Sequence, residues 1–210
     1  TPGQETRWVQ ISSAPRRRPD GVEVWDGFVL DITARKLAEL ALVRSEHDLE
    51  LATDAAAIDA VTVAAFLAAP HAAHTEQFIV KALRKAGKLT VSLVAELDGE
   101  VIGHVAVSPV SISDGTSGWH GLGPLSVAPA HQGRGVGSRL VREALRVLRE
   151  KGASGCVVLG EPGYYGRFGF RTESGLVLAN VPPEYFQAVP FGAAVPRGHV
   201  SYDESFEARD

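Results

Sequence analysis

Hydrophobic positions along this chain follow two spacings, and their order sketches the elements before any chemistry is considered. In Arg7–Ala14 and Val22–Leu30, β-branched and aromatic residues crowd two short runs around PRRRPDG. Pro19-Asp20-Gly21 supplies the turn, because proline presets φ and Asp-Gly tolerates the reversal. After Asp31 the period lengthens. Leu37, Leu40 and Leu42–Val43 form the apolar stripe of a helix that Asp31 or Thr33 would cap. A hairpin and one helix cannot build a core alone. Residues 1–50 therefore need a partner surface, from a missing half, from the rest of the chain or from a second copy in a homodimer.

From Leu51 two helices follow. Thr53 or Asp54 caps the first, with Ile58, Val61, Ala65 and Phe66 on one side; Thr75 caps the second, which carries Phe78, Ile79 and Leu83 and stops at Gly87. LTVSLVAEL and EVIGHVAVSPVSI flank Asp98-Gly99, a strong hairpin signal. Gly121–Val127 is the next strand. Leu140, Val141, Ala144, Leu145 and Leu148 then fall at helical spacing, closed by Gly152. Gly155–Gly160 is apolar throughout, as a strand covered on both faces would be. A short helix around Pro162–Arg167 and two more strands, in LVLANV and GHVSYDESF, complete the order.

Composition narrows the class. The chain has 210 residues, a 45% hydrophobic fraction and a net charge of −4, which suits one ordinary soluble domain, or one domain with a partial companion. No bulk basic charge argues for nucleic acid, no apolar run reaches membrane-span length, and no signal-peptide pattern opens the sequence. Cys156 is the sole cysteine, so there is no disulfide framework and a reducing cytoplasm is the natural setting. Methionine is absent and the chain opens on Thr1-Pro2-Gly3, which reads as the cut end of something longer.

The chemistry begins at Gln132-Gly-Arg-Gly-Val-Gly137, set between a strand and an amphipathic helix. Glycines at this density weaken any regular element. They fit a tight turn or a ligand pressed against bare backbone. A helix start leaves about four N–H groups without intrahelical partners, ahead of a positive dipole end, which suits phosphate. The nucleotide pattern G-x-x-x-x-G-K-[ST] is absent, and G-x-G-x-x-G fails because Gly133, Gly135 and Gly137 are evenly spaced.

Gln132-x-x-Gly135-x-Gly137 resembles the coenzyme A pyrophosphate loop of the GNAT superfamily of N-acetyltransferases. LGPLSVAPAHQGRGVGSRL, GCVVLG, YYGRFGF and VPPEYFQAVPF, in this order, together resemble one branch of predicted acetyltransferases in it. The resemblance covers nearly all of 51–210. It implies an α+β GNAT fold with a mixed, mainly antiparallel central sheet and a last hairpin, preceded here by the N-terminal hairpin and helix. It also implies acetyl-CoA as co-substrate and no metal. The backbone of Leu125, Ser126 and Val127 would pair with the pantetheine arm. The N–H groups of Gln132, Gly133, Arg134, Gly135, Val136, Gly137 and Ser138 would hold the pyrophosphate. Arg134 or Arg139 either adds charge to a phosphate or is simply an exposed helix arginine. Gly27-Phe-Val-Leu-Asp31-Ile32-Thr33, in turn, resembles the end of a PAS sensor domain and its signalling helix, and Arg16–Arg18 would be a solvated hairpin tip.

Acetyl transfer to an amine needs a neutral nucleophile and a protonated leaving thiol. Superfamily members use a tyrosine as acid in a pattern like Tyr-x-x-x-Gly-Phe, matched by Tyr165 through Phe170; Tyr164 is the rival. The base is open: the strand before the loop has no carboxylate, leaving Glu161, His120, a water chain or an already neutral amine. Glu76 either meets the acceptor in the cleft or lies solvated. Cys156 reads as a core side chain, His71 and His74 lack a third metal ligand, and His104 and His199 have no legible partner. The expected activity is acetyl-CoA-dependent N-acetylation of a small-molecule or peptide amine by direct attack. The alternative is an acyl-CoA-binding signalling module with little catalysis.

Overall fold

A computed structural model of the chain describes residues 9–17, 23–31, 52–67, 75–192 and 194–209, with side chains from residue 55 onward. The chain divides into two compact units, Thr1–Leu42 and Val43–Asp210. In the first, β1 (Val9–Arg17) and β2 (Glu23–Asp31) run antiparallel, Val9 opposite Asp31 and Arg17 opposite Glu23. The Pro19-Asp20-Gly21 turn, Arg18, the helix expected after Asp31, His71 and His74 lie outside the described residues.

The first described elements of the second unit are α1 (Ala52–Phe66) and α2 (Glu76–Lys85). Thr53 and Asp54 stand inside the first turn of α1 rather than ahead of it. Thr75 does precede α2, but through its carbonyl, which accepts from Phe78 N–H at 2.9 Å. Next come β3 (Val91–Leu97), β4 (Glu100–Pro109), the two-residue β5 (Ser111–Ile112) and β6 (Trp119–Val127). After them come α3 (Val136–Glu150), β7 (Gly155–Leu159), the single turn α4 (Pro162–Tyr165), β8 (Leu176–Leu178), β9 (Phe186–Pro190) and β10 (Gly198–Ser201).

The central sheet has the order β3-β4-β6-β7-β9, with β6 and β7 parallel and the other neighbours antiparallel. It is mixed and mainly antiparallel, as the sequence implied. The ending differs. The expected last hairpin is replaced by a second sheet, β5-β10-β8, in which β8 and β10 run parallel. FQAVP, unassigned in the sequence, becomes β9 on the edge of the central sheet. Asn180, at φ 61°, is in a left-handed conformation just past the end of β8. Trp119, Val157, Phe186, Leu176 and Val200 fill one core cluster spanning the two sheets.

Helices cover both faces of the central sheet, and side-chain alternation decides which residue meets which. A Cβ on Gly103 would lie 3.1 Å from both Leu140 and Val136, so Gly103 lets α3 settle against β4. Its neighbour His104 and the paired Ser126 face the other way, where Ser126 Oγ donates to Thr62 Oγ1 of α1 at 3.2 Å. His104 is fully buried there and shares a 2.9 Å hydrogen bond with Ser92, a partner the sequence did not reveal. Along α3, Leu140, Val141, Ala144, Leu145 and Leu148 are all buried. Each large apolar side chain so covered contributes about 1.5–3 kcal/mol relative to exposure.

Gly155 opposes Trp119 across the parallel junction, and a Cβ there would sit 2.5 Å from the indole. Trp119 is buried and cannot move into solvent. Gly155→Ala should therefore cost about 1–3 kcal/mol, the usual range for overpacking a tight core. Chemical denaturation checks this, and an unchanged midpoint would refute the close approach.

Candidate active site

The site grows from the divergence of β6 and β7. Their pairing runs from Trp119–Gly155 to Leu122–Val158 and ends there, while β6 stays on β4 through Leu125, Ser126 and Val127. Ala128 N–H donates to Ile102 O of β4 at 2.9 Å. Backbone groups alternate sides along a strand, so Ser126 also turns its N–H and C=O to β4, and Leu125 and Val127 turn theirs to the open edge. Ser126 is thus occupied on its backbone and its side chain, which separates it from the two neighbours grouped with it in the sequence. Val127 O accepts from Gln132 Nε2 at 3.0 Å, tying the strand end to the glycine loop.

The three loop glycines answer to two different constraints. Gly133 and Gly135 have φ of 72° and 87°, left-handed values that favour glycine. Gly137 is helical; a Cβ there would lie 2.8 Å from the Tyr164 hydroxyl. Val136 is buried and anchors the helix start. The first intrahelical bond is Arg139 N–H to Gly135 O at 3.1 Å, so the N–H groups of Val136, Gly137 and Ser138 have no intrahelical partner. They open on a cavity of about 340 Å³, which Val127, Gln132, Gly133 and Tyr164 also line. Arg134 is exposed and does not line it. Arg167, which the sequence analysis missed, does line it. Its guanidinium lies 4.6 Å from the Tyr164 ring centre, and its Nε donates to Tyr164 O at 3.1 Å. The signal was its place two residues after Tyr165 on a short helical turn.

A second cavity, of about 380 Å³, lies along the same strand and is lined by Leu122–Leu125, Tyr165, Glu76 and Tyr202 among others. Adjacent tyrosines thus serve different cavities. The ring of Tyr165 packs edge-on to Phe170, with centres 5.9 Å apart, and occupies space that a Cβ on Gly160 would take. Gly160 is pinned: its N–H donates to Tyr185 O at 2.9 Å and its C=O accepts from Gln187 Nε2 at 3.0 Å. Burial pushes the Tyr165 phenol well above its ordinary pKa, so it stays protonated. Tyr202, raised for the same reason, packs where a side chain on Gly121 would clash. Its hydroxyl is buried without a hydrogen-bond partner among the described residues.

The base candidates are elsewhere. Glu161 supports α4 through its carbonyl, which accepts from both Tyr164 and Tyr165 N–H at 3.0 Å, while its side chain is exposed and lines neither cavity. His120 pairs in register with Cys156 inside the sheet, and burial lowers its pKa. It also lines neither cavity. Cys156 is fully buried, as its apolar setting predicted, and its thiol pKa is pushed up by that burial. Among the described residues no group of three or more His, Cys, Asp or Glu could hold a metal, and no helix is long and apolar enough to cross a membrane.

Known proteins share this fold. The sequence profile of the Acetyltransferase (GNAT) family matches residues 54–170. The uncharacterized N-acetyltransferase YhbS of Escherichia coli K12 is 42% identical over 114 residues, 54% of this chain and 68% of that one. A GNAT family acetyltransferase from Brucella melitensis, solved in complex with acetyl-CoA, superposes with a TM-score of 0.68 at 48% identity, covering 78% of this chain and 98% of its own. Escherichia coli YhbS in complex with CoA also gives 0.68, at 35% identity, covering 79% and 93%. The family match begins at residue 54, and none of these likenesses supports the PAS-like reading of residues 1–50.

An orphaned buried hydroxyl carries a desolvation cost with no bond to offset it, about 1–3 kcal/mol. Tyr202→Phe should accordingly leave the unfolding midpoint unchanged or raise it. A drop equivalent to more than about 1 kcal/mol in denaturant titration would mean that the hydroxyl is bonded after all.

Proposed function

The chain belongs to the acetyltransferase (GNAT) family, and we propose that it moves an acetyl group from acetyl-CoA to a primary amine by direct attack within a ternary complex. The observation that carries this reading is that the two cavities lie along one open strand edge. Val127 lines the first and Leu125 the second, with their backbone groups on the same open edge. An extended strand rises about 3.3 Å per residue, so an arm paired along this edge passes from one cavity to the other within two residues. Diphosphate on the loop N–H groups of Val136–Ser138, pantetheine on Leu125 and Val127, and thioester beside Tyr165 is the placement that follows. Arg167 adds a cation to the phosphate end.

An amine with a pKa of about 10.4 is roughly 3.4 units from neutrality at pH 7, a cost of about 4.6 kcal/mol. With Glu161 and His120 outside both cavities, that first proton leaves through water. The nitrogen lone pair then forms the C–N bond, and a backbone N–H of the open edge is placed to donate to the oxyanion. As the C–S bond breaks, Tyr165 protonates the sulfur, and the second nitrogen proton restores the phenol. The net reaction releases the amide, the free thiol and one proton. A purely acyl-CoA-binding module would have no use for a second cavity walled by a protonated phenol.

Calorimetry with acetyl-CoA should give micromolar binding that Gly135→Glu abolishes, since a side chain at that left-handed position is strained and its carboxylate faces the phosphate site. Undiminished binding by the variant would refute the loop assignment. Tyr165→Phe should bind acetyl-CoA normally and lose about 10²-fold or more in kcat. Because burial raises this phenol, the wild-type rate should show no alkaline fall below about pH 10, the ordinary tyrosine value. An alkaline limb below that pH, or full activity in the phenylalanine variant, would remove Tyr165 from the acid role.

A further inference from the structure

The second cavity also limits which amine can be the acceptor, if the transfer reaction is as proposed above. Its walls are apolar and partly aromatic, with Phe66, Ile79, Leu159, Leu178 and Phe206 around the open edge of β6. Two polar side chains besides Tyr165 interrupt them. One is Glu76 of α2, whose Oε2 is buried. The other is Tyr202, whose buried hydroxyl has no hydrogen-bond partner among the described residues. No lysine, arginine or histidine lines the cavity among the described residues.

We infer that the acceptor is a primary amine carried on a compact, apolar body without a carboxylate, received with its ammonium toward Glu76. Among the described residues, a carboxylate entering this space would meet no cation, and it would face the Glu76 side chain. Burying an ion unpaired is among the largest penalties available to a binding site. Free amino acids are disfavoured on that ground. An extended peptide would bring amide groups that the cavity can meet only at Glu76, at the tyrosine hydroxyls and at the edge already assigned to pantetheine. The four-methylene stem of a protein lysine would leave much of a space of about 380 Å³ unfilled, including the rings of Phe66, Phe206 and Tyr202. A flat or branched amine covers them. The unpartnered Tyr202 hydroxyl has room for one neutral hydrogen-bonding group on that body. Glu76 binds and orients the incoming ammonium and gives its first proton a route to water.

The test uses the full chain, saturating acetyl-CoA and thiol release, with 2-phenylethylamine and phenylalanine as a pair differing only by the carboxylate, and a lysine-containing peptide beside them. 2-Phenylethylamine should exceed phenylalanine and the peptide in kcat/KM by 100-fold or more. Glu76→Gln should raise its KM at least tenfold while acetyl-CoA affinity, measured by calorimetry, stays the same, and Glu76→Asp should recover part of the loss. Preference for phenylalanine or the peptide would overturn the inference. So would an unchanged KM in Glu76→Gln, or no turnover of the apolar amine by protein that binds acetyl-CoA. Failure to bind acetyl-CoA at all would instead sink the transferase reading, and the acceptor assignment with it.

Discussion

Beyond Leu122 and Val158 the hydrogen bonds between β6 and β7 stop, and a strand that loses one neighbour must satisfy its peptide groups some other way. Here β4 holds one side of β6, the helix α1 fixes Ser126 from beneath, and Gln132 takes the Val127 carbonyl. What remains is a short open edge at Leu125 and Val127. Both cavities, the glycine loop and the tyrosine turn are arranged around it. Had the two strands stayed paired, β7 would occupy the space that the acetyl donor is proposed to fill.

The tyrosine turn depends on that divergence too. β7 ends at Leu159, and Gly160 is held by Tyr185 and Gln187 from the β9 side, so the chain turns at a fixed point into α4. One residue of difference on that turn sends Tyr164 to the loop cavity and Tyr165 to the other. A helical step rotates a side chain about 100° about the axis. The two tyrosines that the sequence left as rivals therefore line different cavities. Tyr164, with Arg167 stacked on it, lines the cavity proposed to hold the phosphates.

How much of this was legible depended on sequence distance. The helices were readable because their apolar stripes are local, and the loop because Gly133 and Gly135 sit in a pattern with a known backbone demand. Gly121 and Gly160 looked ordinary. Each makes room for an aromatic ring, and for Gly121 that ring is Tyr202, 81 positions downstream. The same distance hid β9, a five-residue strand ending in proline, and the parallel pairing of β8 with β10. Glu161 and His120 lie in the right stretches of sequence but outside the cavities.

The wall of the second cavity is assembled from the end of α1, from α2 and from the segment Tyr202–Phe206, where Asp203 fixes the local turn by accepting from Ser205 N–H at 3.0 Å. The loop cavity draws on none of these. Selection can accordingly rewrite one half of the molecule while the other half stands still. On the proposed reading, a lineage that exchanges residues at positions 66, 76, 202 or 206 would keep its donor and change its clientele. Common descent would then bear on what such proteins consume more than on what they modify.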